Sequence, residues 1–172
     1  STLFPFTPLF RSPGFMFYRY HPSPIGQLLL AGDEQGLHLL HLDSAHPWEL
    51  NPTWREADNQ LDDVARQLDE YFANKRERFD LRLAARGTPF QKEVWHALVN
   101  IPYGTTTTYA ELARTIGRPR AIRAVGTANG ANPIAVIVPC HRVIGSNGSL
   151  TGFAGGLERK QRLLELEGAW LI

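Results

Sequence analysis

The chain has 172 residues, 43 % of them hydrophobic and 20 % charged, with a formal net charge of +1 and one cysteine. That size suits one large domain or two small ones around a packed core, and no run approaches the roughly 18 consecutive apolar residues that span a bilayer. One cysteine excludes an intrachain disulfide and a cysteine-rich zinc site; a lone thiol fits a reducing compartment, so the cytoplasm is the expected location.

Residues 1–14 (STLFPFTPLFRSPG) are apolar and broken by proline, without the basic region or small-residue cleavage site of a secretory signal. They are set aside as a packed arm or an appended remnant. Residues 15–20 (FMFYRY) and 27–31 (QLLLA) are apolar runs separated by HPSPIG, and a turn at 33–36 leads into 37–42. About three short antiparallel strands are expected there. Val64, Leu68, Tyr71 and Phe72, following Leu61, have helical spacing and predict a helix over 62–72. His38 and His41 would fall on opposite faces of a strand and read as structural. Residues 15–80 thus form a small α/β domain with no catalytic constellation, followed by a linker over 81–86.

Beyond it, Thr88-Pro89-Phe90-Gln91 is a capping box with proline at the first helical position. It opens a helix through Val94, Trp95 and Leu98 that ends before Pro102-Tyr103-Gly104. A second helix over 108–116 stops at Gly117, a link over 117–120 follows, and a third helix runs over 121–128 to Asn129-Gly130. Two short helices joined by a short glycine-containing turn are the sequence form of a helix-turn-helix. Residues 134–138 (IAVIV) read as a buried strand or extended core segment broken by Pro139. A last helix is expected over 157–167, with Leu163, Leu164 and Leu166 apolar. The fold class is α+β: a small N-terminal antiparallel sheet with a helix, then a helical C-terminal domain containing the helix-turn-helix.

Charge divides the same way. Residues 1–80 carry 7 Lys/Arg against 12 Asp/Glu, and residues 81–172 carry 11 against 5. Arg114, Arg118, Arg120 and Arg123 fall within ten residues that contain no acid. A basic half of this kind points to a polyanionic partner.

The chemistry centres on Pro139-Cys140-His141-Arg142. A free thiol titrates near about 8.5 and needs help to ionise at neutral pH. His141 is a candidate base, directly or through a water, with Glu167 as the partner that orients its second nitrogen. Cys140 alone also reads as a small buried hydrophobe, and a Cys–His hydrolase would need an oxyanion hole that the sequence does not identify. The helix over 121–128 presents mostly Ala and Gly, with one arginine. That suits a surface which approaches DNA closely, reads little sequence and fills a gap in the base stack with one long side chain; tight helix packing is the alternative.

Tyr109, the helix through Arg123, Asn132-Pro133, the run from Ile137 through Cys140 to Ile144, and Thr151-Gly152-Phe153-Ala154-Gly155-Gly156-Leu157 together strongly resemble the O6-alkylguanine-DNA alkyltransferase (methylated-DNA–protein-cysteine methyltransferase) family. The resemblance is close over 87–168 and general over the N-terminal half. It implies direct-reversal repair: irreversible, single-turnover transfer of an alkyl group from O6-alkylguanine in duplex DNA to Cys140, with O4-alkylthymine left open as a substrate. It also implies that His141 and Glu167 activate the thiol through a water and that Asn132 braces the active-site turn. Arg123 would enter the stack where the base leaves, and Tyr109 would promote nucleotide rotation and assist the leaving guanine.

The carbonyls of Cys140 and Val143 would accept from the guanine amine, the Ala154 amide would donate to the alkylated oxygen, and Phe153 would wall the pocket. Arg118, Arg120, Ala121, Thr127 and Ala128 join Tyr109 and Arg123 on a surface that enters the minor groove. No cofactor, metal or membrane partner is implied; the protein is expected to be a monomer, with cooperation along DNA left open. Two features depart from the family: Phe153 stands where tyrosine is usual, and the cysteines of the zinc site found in some members are missing. Alkyltransferase-like proteins, with tryptophan at the cysteine position, are excluded by Cys140. A DNA-binding regulator or damage sensor with a cysteine switch, and a Cys–His hydrolase, are the competing classes.

Overall fold

The computed structural model describes residues 15–43 and 47–169, so the 1–14 segment lies outside the described residues. The chain divides into two units, 1–85 and 86–172.

In the first unit, β1 (Phe17–Ser23), β2 (Gly26–Asp33) and β3 (Gly36–Leu42) form the expected antiparallel strands. A two-residue strand, β4 (Arg55–Glu56), adds parallel to β1, giving the order β3-β2-β1-β4. It is short and exposed, and so has no periodicity to betray it. The central strand is buried continuously from Leu28 to Gly32, as expected when both faces of a sheet are covered. On one face Leu29, Ala31 and Leu39 meet Met16, Tyr18, Leu50 and Trp54. On the other lies α1 (Asp62–Phe72). Its Asp62 and Asp69 bond Arg19 and His21, both at 2.7 Å, and these two pair across the strands with Leu30 and Leu28. The helix buries Val64, Leu68 and Tyr71, the stripe its spacing announced. His38 bonds Asp33 at 2.8 Å and the His41 ring packs against Trp48, both structural roles.

Part of the 81–86 segment, read as a linker, is bonded to the sheet of the first unit. Leu37 N donates to Arg82 O at 2.9 Å and Ala84 N to Leu37 O at 2.8 Å, pairing Leu83 with the outer edge of β3. The open backbone groups of an edge strand recruit the passing chain. Gly36 permits the approach: at φ +140° a Cβ there would stand 2.5 Å from Arg82 O.

The second unit contains α2 (Pro89–Val99), α3 (Tyr109–Thr115), α4 (Ile122–Gly130) and α5 (Leu157–Leu166). The capping box on α2 is formed in both directions, at 3.1 and 2.9 Å. Thr108 caps α3 through Glu111 N, and Gly117 at φ +74° ends the turn beyond it. Helices α2, α3 and α4 pack together, and Trp95 Nε1 donates to Ala128 O at 2.8 Å.

Residues 134–138 are neither strand nor extended core segment. The run is buried, but it folds as consecutive turns: Ile137 N donates to Ala135 O, Val138 N to Ile134 O and Cys140 N to Val138 O, at 2.8–3.0 Å. Val136 takes φ +70°, a strained choice for a β-branched residue. The Ile137 and Val138 amides bond carbonyls within the run itself, and the Ile134 amide bonds Asn132 Oδ1. A single 3-10 turn, Cys140–Arg142, leads into β6 (Val143–Ile144), which pairs parallel with β5 (Thr107–Thr108) just before Tyr109. Among the described residues no helix is long and apolar enough to cross a membrane, and no cluster of His, Cys, Asp and Glu could hold a metal ion.

Candidate active site and nucleic-acid interface

Cys140 begins the 3-10 turn and is 7 % exposed. Burial pushes its thiol up, opposed by a bond from Asn132 and by the positive charge of Lys160. Asn132 staples the turns that deliver the cysteine: Nδ2 donates to Val138 O at 2.8 Å and Oδ1 accepts from Ile134 N at 3.0 Å.

His141 is fully buried, and its Nε2 lies 2.8 Å from Glu167 Oε2. Arg142 grips the same carboxylate twice, Nε on Oε1 at 2.8 Å and Nη2 on Oε2 at 2.9 Å, while Nη1 donates to Ile101 O at 2.7 Å. Burial alone would raise the Glu167 pKa, but the bonds from His141 and Arg142 outweigh it and bring it down to about 2. Burial pushes the His141 pKa down, and the cations of Arg142 and Lys160 push the same way, against the pull of Glu167. A neutral imidazole beside an ionised carboxylate donates from Nε2, which leaves Nδ1 as the acceptor. That Nδ1 is buried and has no hydrogen-bond partner among the described residues.

The sequence reading missed two residues here. Arg142 was visible only as part of a motif, without its partner. Lys160 is fully buried, donating from Nζ to Val143 O and Thr151 O at 2.6 Å each. Burial lowers its pKa to about 8, against the opposing effect of Cys140. A signal was present: Lys160, Leu163, Leu164 and Glu167 follow i, i+3, i+4, i+7, one inward stripe of a helix. The Val143 carbonyl, expected to face guanine, therefore already accepts one bond.

Tyr109, Phe153 and Ala154 line one open groove with Ile122, Gly126, Gly130, Thr151 and Gly152, about 580 Å³ in volume. The other expected pocket residues, Cys140 and Val143, are buried and do not line it.

On α4, Arg123, Ala124 and Thr127 are exposed and Ala121 precedes the helix half-buried. Thr127 Oγ1 donates to Arg123 O at 3.1 Å, so its hydroxyl is satisfied within the helix. Ala128, expected on the DNA-facing side, is instead 2 % exposed, with its carbonyl held by Trp95; it lies on the stripe that packs against α2. The arginine run is also less open than its spacing suggested. Arg114 pairs with Glu111, and Arg118 pairs with Glu93 at 3.3 Å and covers the Phe90 ring. Arg120 and Arg123 are exposed and make no salt bridge to another described residue.

Exposed arginines and a buried thiol beside a histidine hydrogen-bonded to Glu167, in one helical unit, define a nucleic-acid-binding protein with a candidate cysteine nucleophile. Comparison with known proteins makes this specific. Residues 89–169 match the 6-O-methylguanine DNA methyltransferase DNA-binding domain, and residues 16–85 match the ribonuclease-like domain of the same family. A methylated-DNA–protein-cysteine methyltransferase of Methanosarcina acetivorans is 53 % identical over 155 residues, covering 90 % of this chain and 99 % of its own length. One from Methanosarcina barkeri is 56 % identical over 153 residues, covering 88 % and 97 %. The crystal structure of Mycobacterium tuberculosis OGT in complex with DNA superposes with a TM-score of 0.83 at 49 % identity, covering 89 % of this chain and 93 % of that one. The chain belongs to the 6-O-methylguanine DNA methyltransferase family.

Proposed function

We propose that the protein repairs duplex DNA by moving the alkyl group of O6-alkylguanine onto Cys140, once per molecule. One observation carries the site assignment. Arg142 fixes Glu167, Glu167 fixes Nε2 of His141, and the remaining nitrogen is a buried acceptor one residue from the chain's single thiol.

The reaction is an in-line displacement. The Cys140 proton passes to His141 Nδ1, directly or through a water. Burial disfavours a resting thiolate, so the anion forms only as the proton leaves, with Lys160 as the nearby cation. The sulfur attacks the alkyl carbon, an S–C bond forms, and the C–O bond gives its electron pair back to guanine. The ring regains the proton that the thiol lost. Tyr109 assists by donating a hydrogen bond to the departing base, and Phe153 and Ala154 wall the pocket. None of the described residues around Cys140 offers a route to cleave the thioether.

Recognition begins at the helix-turn-helix formed by α3 and α4. The small side chains of α4 let its backbone approach the minor groove, Arg120 contacts phosphates, joined by Arg118 when it exchanges Glu93 for a phosphate, and Arg123 replaces the flipped base in the stack. The DNA complex of the Mycobacterium tuberculosis relative supports DNA as the partner. The protein acts as a monomer in the cytoplasm on this reading. Incubation with a duplex oligonucleotide containing O6-methylguanine should put one methyl group on Cys140 and none elsewhere, by intact mass and peptide mapping. Many repaired bases per protein molecule, or a methyl group on another residue, would overturn the proposal.

A further inference from the structure

Tyr109 opens α3 and meets the segment that precedes α5. Its hydroxyl donates to Thr151 O at 3.3 Å and accepts from Thr151 Oγ1 at 3.1 Å. The same carbonyl accepts Lys160 Nζ at 2.6 Å, and that ammonium also holds Val143 O at 2.6 Å. Thr151 is therefore the junction between the buried lysine behind Cys140 and the phenol in the groove. Gly152, at φ +48°, takes the left-handed backbone beside this junction, where a Cβ would meet the Tyr109 hydroxyl at an ordinary contact distance of 3.6 Å.

We infer that Thr151 is a positioning residue for alkyl transfer: its hydroxyl aims and polarises the Tyr109 hydroxyl, and its carbonyl holds the phenol proton until the guanine takes its place. The inference rests on the proposed role of Tyr109 as donor to the departing base. Both bonds are longer than the usual O–H···O separation of about 2.7–2.8 Å, so the phenol is held loosely. When it turns to the base, Thr151 O keeps the short bond from Lys160 and is not left unpartnered. Donation from Thr151 Oγ1 into the phenol oxygen makes that phenol a better donor, because hydrogen bonds in a chain polarise one another. The phenol keeps its proton as a hydrogen bond throughout, so no covalent step is added.

Single-turnover rate constants with saturating O6-methylguanine duplex, and DNA affinities measured separately, test the assignment in four variants. Thr151→Val should slow transfer about 3–10-fold, the size of one lost hydrogen bond, with DNA affinity unchanged. Thr151→Ser, which keeps the hydroxyl, should restore most of that rate. Tyr109→Phe should be slow, and adding Thr151→Val to it should slow it no further. An unchanged rate in Thr151→Val overturns the inference. So does an equal further loss in the Tyr109→Phe background, which would make Thr151 merely structural, or a Tyr109→Phe rate equal to that of the unmodified protein. Failure of the transfer reading itself is separate, since the unmodified protein would then leave Cys140 unmethylated.

Discussion

Replacing Glu167 by glutamine should change how stability depends on pH in a window set by its own titration. In the folded protein the carboxylate titrates at about 2, against an ordinary value of 4.5. A carboxylate depressed on folding stabilises the native state above the unfolded value, and that stabilisation is lost as pH falls toward the folded value. The shift corresponds to about 3 kcal/mol at neutral pH, of which about 2 kcal/mol disappears between pH 5 and pH 3. Glutamine does not titrate, and it leaves the buried Arg142 without a counter-charge. At pH 7 Glu167→Gln should therefore be less stable by about 3–5 kcal/mol, a large part of a total of roughly 5–15 kcal/mol. Urea unfolding of both proteins at pH 7, 5 and 3 provides the test. The gap between them should narrow by about 2 kcal/mol from pH 5 to pH 3, while the other carboxylates titrate in both proteins and drop out of the difference. Parallel curves would refute the ion-paired Glu167 and, with it, the tautomer assigned to His141.

Arg123→Ala should impair repair of duplex DNA far more than reaction with free O6-methylguanine, because only the duplex must be unstacked, at a cost of a few kcal/mol; equal losses would remove its role in the stack. Salt titration of DNA binding should give a shallower slope in Arg120→Ala and a smaller change in Arg114→Ala, since each phosphate contact contributes about −0.9 to the slope and Arg114 is already paired with Glu111; the reverse order would refute the surface assignment. Stoichiometric methylation of Cys140 should lower the melting temperature. The sulfur is buried, overpacking costs about 1–3 kcal/mol, and an unchanged or higher Tm would show that the pocket holds its product without strain.

Much of this protein is written locally in its sequence. The α1 stripe of Val64, Leu68 and Tyr71, the Thr88–Gln91 box and the Gly117 stop are set by residues a turn or so apart, so spacing alone reveals them. The chemistry of Cys140 and its neighbours was legible for the same reason, as a contiguous motif. Tertiary structure decided whatever joins residues far apart in the chain. Arg142 reaches Glu167 25 positions on, and Tyr109 reaches Thr151 42 positions on. The edge of β3 recruits Leu83, and Glu93 neutralises an arginine that the spacing had left open. The apolar run at 134–138 looked like a strand because strand and buried turn share a composition; only the turn bonds and the Asn132 staple distinguish them. Local propensity fixes where helices begin and end, but the partner of a buried charge or an edge amide is chosen by whatever the packed chain brings within about 3 Å, and no periodicity encodes that.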